Sequence, residues 1–206
     1  TYEYKAHKSF TLSQADVTRH QFLNNSSNEV SKSYYDFARI NFYLSGSTSD
    51  NYGSQFNIGN DGSGRDTFLT KFYDTGSIVF IPQNKFDEEI KKGSFVLTDT
   101  TTGARIVDDS NGNLYSTNAT FSQSVSALSS SDNYVGNIFY SVGAFTITET
   151  ASFDGSQDYT EVTSGNYTLT YQGTTVINTY EWTCDVQPNE LNDTTNMTVY
   201  NSNGLG

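Results

Sequence analysis

Short apolar runs separated by turn residues dominate the pattern of this chain from residue 76 onwards. Runs bounded in this way by Gly, Pro, Asn, Asp or Ser are typical of β-strands. Pro82 ends the first run because proline has no N–H to donate to a neighbouring strand. We therefore predict strands at residues 77–82, 94–99, 104–108 and 113–115, and a hairpin across the TTTG turn.

The same pattern continues towards the C-terminus. Residues 134–140 and 143–148 predict a hairpin that turns at residues 141–143, and residues 166–171 and 174–186 predict another that turns at Gln172-Gly173. Turn-bounded strands at such short intervals are typical of sandwiches and barrels. The predicted fold class is mainly β, an antiparallel sandwich or jelly-roll-like barrel with one short helix and an N-terminal arm.

The first third of the chain has a different pattern. Tyr2, Tyr4 and Ala6 alternate with polar residues as in an edge strand, but residues 13–32 are polar and weakly periodic, so residues 1–32 are interpreted as an N-terminal arm. Residues 33–44 have helical spacing with Ser33 as a possible cap, although their near-alternation also permits a strand.

Two further segments complete the predicted organisation. Residues 45–66 form a Gly/Ser/Asn-rich loop, and residues 83–92 predict a short helical turn that Gly93 closes. The predicted division of the chain is an arm at residues 1–32, a helix with its loop at residues 33–66, and a β domain at residues 67–206.

Composition and charge narrow the possible functions. Aromatic residues make up 15 % of the chain, enough bulk for a thin β core, and the net charge is −12. Binding to a phosphate backbone needs clustered cations, and Lys91-Lys92 is the largest cluster in the sequence, so direct nucleic-acid binding is not expected. No run approaches the roughly 18 apolar residues of a membrane span.

Candidate chemistry is sparse. His7 and His20 lack the further ligands that a zinc site needs, and the single cysteine, Cys184, is expected to pack as a small buried residue. Oxygen-rich loops at residues 108–113 and 60–66 could hold calcium, but their Asn-Gly content favours tight turns. We assign no catalytic, cofactor-binding or metal-binding residue, and we predict no cofactor.

An ordered set of phrases adds a family resemblance. It comprises YKAHKSF (4–10), SYYDFARINFY (33–43), GSIVFIPQNKFDEEIKKGSFVLTD (76–99), IVDDSNGNLY (106–115), VGNIFYSVGAFTIT (135–148) and TYEWTCDVQPNELNDTTN (179–196). This order resembles that of uncharacterised virion structural proteins of marine tailed bacteriophages. Those proteins continue with further strands after the Asn-rich segment, whereas this chain stops at Gly206.

The resemblance implies a non-enzymatic component of the phage tail or baseplate, assembled in multiple copies in the host cytoplasm and located in the virion. Its expected partners are other virion proteins and copies of itself. Tyr-rich and Asn/Ser/Gly-rich surfaces leave open a module that binds a host glycan or receptor. A hydrolytic tail enzyme is the third hypothesis, since Asp and Glu residues are plentiful.

Overall fold

The computed structural model describes residues 2–43, 71–119 and 134–185. These residues form a mainly antiparallel β structure with 45 % strand and 17 % helix. The predicted mainly β, antiparallel sandwich or barrel class is therefore confirmed. The Gly/Ser/Asn-rich segment at residues 45–66, including the possible calcium loop at 60–66, lies outside the described residues.

Ten strands and two helices are present in the described ranges. In chain order they are β1 Tyr2–Ser13, β2 Thr18–Leu23, α1 Glu29–Ala38, β3 Thr75–Phe80, β4 Glu89–Ile90, β5 Val96–Asp99, β6 Arg105–Asp108, β7 Asn113–Ser116, β8 Tyr134–Phe139, β9 Ala144–Ile147, α2 Tyr159–Val162 and β10 Tyr167–Thr179. The sheet has the strand order β1-β10-β5-β6-β7-β8-β9-β3-β2, and β4 pairs with β10 outside this path.

Local turn chemistry explains the hairpins that the sequence predicted. Strands β5 and β6 pair antiparallel with Leu97 opposite Ile106, and β8 and β9 pair with Ile138 opposite Phe145. In the first turn, the Asp99 carboxylate accepts hydrogen bonds from the backbone N–H groups of the two residues after Thr100. Both hairpins are confirmed, and β7 follows the DSNG turn as expected.

The predicted hairpin turn at Gln172-Gly173 is wrong. Strand β10 passes through both residues without a break, and Gly173 pairs with Ile90 of β4. A Cβ atom at Gly173 would lie 2.8 Å from the Phe10 ring and 2.8 Å from the Phe86 carbonyl oxygen. Glycine is thus placed here by the close approach of neighbouring segments, a role it often has inside strands.

The single helical turn predicted for residues 83–92 is also shorter than expected. A 3-10 turn covers Gln83–Lys85, after which the chain pairs with β10 as strand β4. Gly93 follows with a φ of +77°, in the left-handed region that favours glycine.

The predicted helix at residues 33–44 is confirmed as far as Tyr43, but helix α1 begins earlier, at Glu29. Its cap is Asn28 rather than Ser33, because the Asn28 side chain accepts a hydrogen bond of 2.9 Å from the Val30 N–H. The helix continues into a π-helical turn at Arg39–Tyr43. The strand alternative for this segment is excluded, and the short helix α2 was not predicted.

The predicted N-terminal arm is instead part of the sheet. Strand β2 pairs along its whole length with β3, and Phe22 of β2 is fully buried. The chain divides into two compact units, Lys5–Val176 and a smaller one formed by Thr1–Tyr4 with Ile177–Gly206. No unit begins or ends at residue 32, because the polar residues of β2 conceal a strand that pairs with β3 by backbone hydrogen bonds. The predicted boundary at residue 66 lies outside the described residues.

Two hydrophobic clusters hold the larger unit together. The main core contains aliphatic and aromatic residues from β3 to β10, with Phe86, Phe95, Leu97 and Phe145 fully buried. The second cluster is the aromatic layer beneath α1, formed by Phe22, Tyr35, Ala38, Phe42, Tyr43, Ile78, Phe139 and Ala144. Aromatic bulk therefore does fill the core, as the composition indicated.

Candidate functional site

The two histidines occupy different surroundings. His7 of β1 lies with its Nδ1 atom 3.2 Å from the Thr174 hydroxyl oxygen of β10. The His20 imidazole of β2 stacks on the Tyr34 ring of α1, with 3.8 Å between ring centroids, and burial lowers its pKa. Within the described residues, no group of three or more His, Cys, Asp or Glu side chains is placed to hold a metal ion.

The acidic turn at residues 108–113 is held by its own carboxylates. Asp108 is buried and accepts hydrogen bonds from the backbone N–H of Gly93 at 2.6 Å, the backbone N–H of Phe95 at 2.9 Å and the Tyr140 hydroxyl at 2.9 Å. Burial raises the pKa of the Asp108 carboxyl, and these three donors oppose that rise.

Asp109 completes the same turn. Its carboxylate accepts from the Asn111 N–H at 2.8 Å and from the Asn113 side-chain amide at 2.6 Å. Both acidic side chains therefore accept backbone hydrogen bonds, and the segment forms the turn that its Asn and Gly residues predicted.

A buried ion pair joins the segment that precedes β3 to the residues that follow β9. The Lys71 ammonium is 3.7 Å from the Glu149 carboxylate, and both side chains are almost fully buried. The Lys71 backbone is fixed at both polar groups, since its N–H donates to the Asn137 side chain at 2.9 Å and its carbonyl accepts from the Thr148 hydroxyl. This arrangement anchors the segment that precedes β3 to strand β8 and to the residues that directly follow β9.

Strand β1 presents the first candidate interaction surface. It is the last strand at one end of the strand order and pairs there with β10. Its residues 2–9 are exposed on both faces. Tyr2 and Tyr4 are 57 % and 59 % exposed. A long edge strand of this kind offers backbone donors and acceptors to another chain.

The outer face of α1 is the second candidate interaction surface. Val30, Phe37 and Ile40 are exposed on the helix and on the π-helical turn that follows it, whereas Tyr35 and Ala38 face the core. The Phe37 ring contacts the edge of the Phe80 ring, with centroids 5.9 Å apart. Helix α1 and its extension are therefore apolar on two sides, one of which faces solvent in the single chain.

The segment after β10 corrects another expectation. Strand pairing ends at Thr179, and residues 180–185 are exposed and do not form a strand. Cys184 is exposed rather than buried, and Tyr180 and Trp182 are 69 % and 85 % exposed. The alternating pattern of this run predicted a strand, but within the described residues it has no sheet partner against which to bury one face.

Comparison with protein-family models, with curated proteins and with solved structures finds no match. In the described ranges, no helix is long and apolar enough to cross a membrane. The structure itself shows a mainly antiparallel β protein with an exposed edge strand, β1, and an exposed apolar face on α1.

Sequence reasoning identified β1 as an edge strand but missed the outer face of α1. The signal was present in the spacing of Val30 and Phe37, which are seven residues apart and so lie on one side of a helix. It was overlooked because the helix was expected to begin at Ser33, three residues after Val30.

Proposed function

We propose that this chain is a non-enzymatic structural component of a tailed-bacteriophage particle, located in the tail or baseplate and assembled in multiple copies. The observation that carries the proposal is strand β1, which closes the strand order and is exposed on both faces over residues 2–9. An edge strand of this length is stabilised by joining another sheet. The ordered phrases that resemble those of virion structural proteins support the same proposal.

The exposed edge of β1 and the exposed apolar face of α1 both favour assembly. Exposed strand edges and apolar helix faces are costly for a monomer because they invite association, and they are common where subunits assemble. The two surfaces lie on different elements, β1 and α1, so each could contact a different neighbour. Other virion proteins and further copies of this chain are the proposed partners.

The test is detection of the chain in particles. Particles purified from a lysate of the phage that encodes this chain are analysed by mass spectrometry, and intact particles are labelled with gold-conjugated antibodies against the purified protein. We expect the chain at a fixed number of copies per particle, with gold at the tail or baseplate. Detection in the lysate but never in purified particles would contradict the proposal.

The non-enzymatic part has its own test. Purified protein is incubated with host envelope material, and soluble sugar and peptide are measured against a heat-denatured sample. We expect equal release from both samples. Greater release by the native protein would favour the hydrolytic alternative.

A second candidate function, binding of a host glycan or receptor, is favoured by the exposure of Tyr180 and Trp182. Exposed aromatic rings stack on the apolar faces of ligands at little conformational cost. A glycan array probed with the wild type and with Trp182→Ala tests this function. Binding that is lost in the variant supports it, and binding that is absent from both argues against it.

A further inference from the structure

We infer that strand β1 pairs antiparallel with β1 of a second copy of this chain, about a two-fold axis at Tyr4. The inference rests on the proposed function, because it names the surface through which copies assemble. Strand β1 lies at the end of the strand order, next to β10. Among the strands that the structure describes, none pairs with the other edge of β1, so a strand from another chain can pair there. Addition of a strand at such an edge supplies affinity through main-chain hydrogen bonds.

The side chains of β1 support this pairing. Successive residues point to opposite faces of a strand, so Tyr2, Tyr4 and Ala6 share one face. Glu3 and Lys5 share the other. All five are exposed. The Lys5 ammonium is 3.3 Å from the Glu89 carboxylate, yet half of the Lys5 side chain remains in solvent, at 52 % exposure.

The sequence of β1 is self-complementary in a single register. When Tyr4 lies opposite Tyr4 of the second copy, Glu3 lies opposite Lys5 twice, once on each side of the axis. Opposite charges directly across an antiparallel pair are stabilising, and aromatic pairs are as well. The contact is isologous, which is the commonest symmetry of protein dimers.

The neighbouring registers are unfavourable. When the two-fold axis is normal to the sheet, the residue at the axis lies opposite its own copy. The two neighbouring registers have their axes at Glu3 and at Lys5. They therefore place Glu3 opposite Glu3, or Lys5 opposite Lys5. Like charges directly opposite are destabilising. A charged edge also discourages indiscriminate strand pairing. The charge pattern of β1 therefore selects this partner and this register.

A charge-swap series tests the pairing. Sedimentation velocity is measured at low salt with a reductant, because Cys184 is exposed. We expect the wild type to form dimers from the 22.8 kDa chain. We expect Lys5→Glu to raise the dimer dissociation constant at least about tenfold, and the double variant Glu3→Lys/Lys5→Glu to restore it. Lys32→Glu makes the same charge change at an exposed residue of α1. It is the matched control and should leave dimerisation unchanged.

A cysteine pair tests the register. In a Cys184→Ser background, Tyr4→Cys should form a covalent dimer on oxidation, because opposed Cα atoms in an antiparallel pair are about 4.5–5.5 Å apart, within disulfide range. Tyr2→Cys is the matched control. Tyr2 faces Ala6 of the second copy, so its own copies are too far apart to bridge.

Three outcomes would overturn the inference: a wild type that stays monomeric, a double variant that is not restored, and equal cross-linking at positions 2 and 4. Each differs from failure of the proposed function. A chain that is detected in particles but does not pair through β1 refutes only this inference. A chain that dimerises through β1 but is absent from particles refutes only the proposed function.

Discussion

At the scale of single residues, Asn137 shows how one buried polar side chain joins distant segments. Its Oδ1 atom accepts from the Tyr43 hydroxyl at 3.0 Å and from the Lys71 N–H at 2.9 Å, and its Nδ2 atom donates to the Gly112 carbonyl at 3.2 Å. A buried amide is tolerated only when its hydrogen bonds are made. These partners lie far apart in the sequence, so the role of Asn137 depends on the tertiary fold.

The reactivity of Cys184 is the first residue-scale prediction. Because the side chain is exposed, a thiol reagent should label the native protein completely and about as fast as a denatured sample. Mass spectrometry of the labelled chain measures this, with Cys184→Ser as the unlabelled control. Labelling that requires denaturant would show that the side chain is buried after all.

The second residue-scale prediction concerns the effect of His20 on how the free energy of unfolding depends on pH. Burial lowers the pKa of its imidazole from the ordinary value of 6.5. The unfolded chain therefore takes up this proton at a higher pH than the folded chain. As the pH falls from about 7.5 to about 5, through 6.5 towards the folded pKa, the free energy of unfolding should decrease.

Denaturant unfolding at several pH values measures that decrease. His20→Gln should reduce it, because the variant has no imidazole to protonate between β2 and Tyr34. The wild type measured at the same pH values is the reference. An unchanged pH dependence in His20→Gln would assign the effect to other groups.

At the scale of elements, the hairpin of β8 and β9 depends on close backbone packing. Gly136 of β8 pairs with Ile147 of β9, and a Cβ atom at position 136 would lie 1.8 Å from the Thr146 carbonyl oxygen. Backbone cannot move away as a side-chain tip can. Strand β8 is therefore specified by a glycine as much as by its apolar residues.

A pair of glycine substitutions makes the third prediction. Gly136→Ala should lower the free energy of unfolding by about 3 kcal/mol or more, because the new methyl group overlaps the backbone of β9. Gly103→Ala is the control in the turn between β5 and β6. It has a φ of +80° with open space around it, so it should cost only about 1–2 kcal/mol of left-handed strain. Equal losses would contradict the overlap at Gly136.

At the scale of the whole molecule, the larger unit extends from Lys5 to Val176 and includes β2 and α1. Strand β2 pairs with β3, and α1 covers the aromatic layer that contains Phe22 and Tyr35. Residues 5–43 are thus a structural part of this unit rather than a detachable arm. The smaller unit contributes the exposed Tyr2, Tyr4 and Trp182.

Truncation gives the fourth prediction. Deletion of residues 1–32 should prevent cooperative folding, because it removes β1, β2, the first turn of α1 and the buried Phe22. Deletion of residues 1–4 is the matched control and should leave the larger unit folded. Near-ultraviolet circular dichroism and thermal melting distinguish the two variants. A folded protein after the longer deletion would restore the interpretation of residues 1–32 as an arm.

The sequence alone determined the β class and the hairpins joined by tight turns, namely β5 with β6 and β8 with β9. These elements depend on local alternation and turn residues, which act over a few positions. Only the tertiary structure decided that β10 passes through Gly173, that β2 belongs to the sheet, and that Cys184 is exposed. Strand pairing and burial depend on neighbours distant in sequence, so no local pattern specifies them.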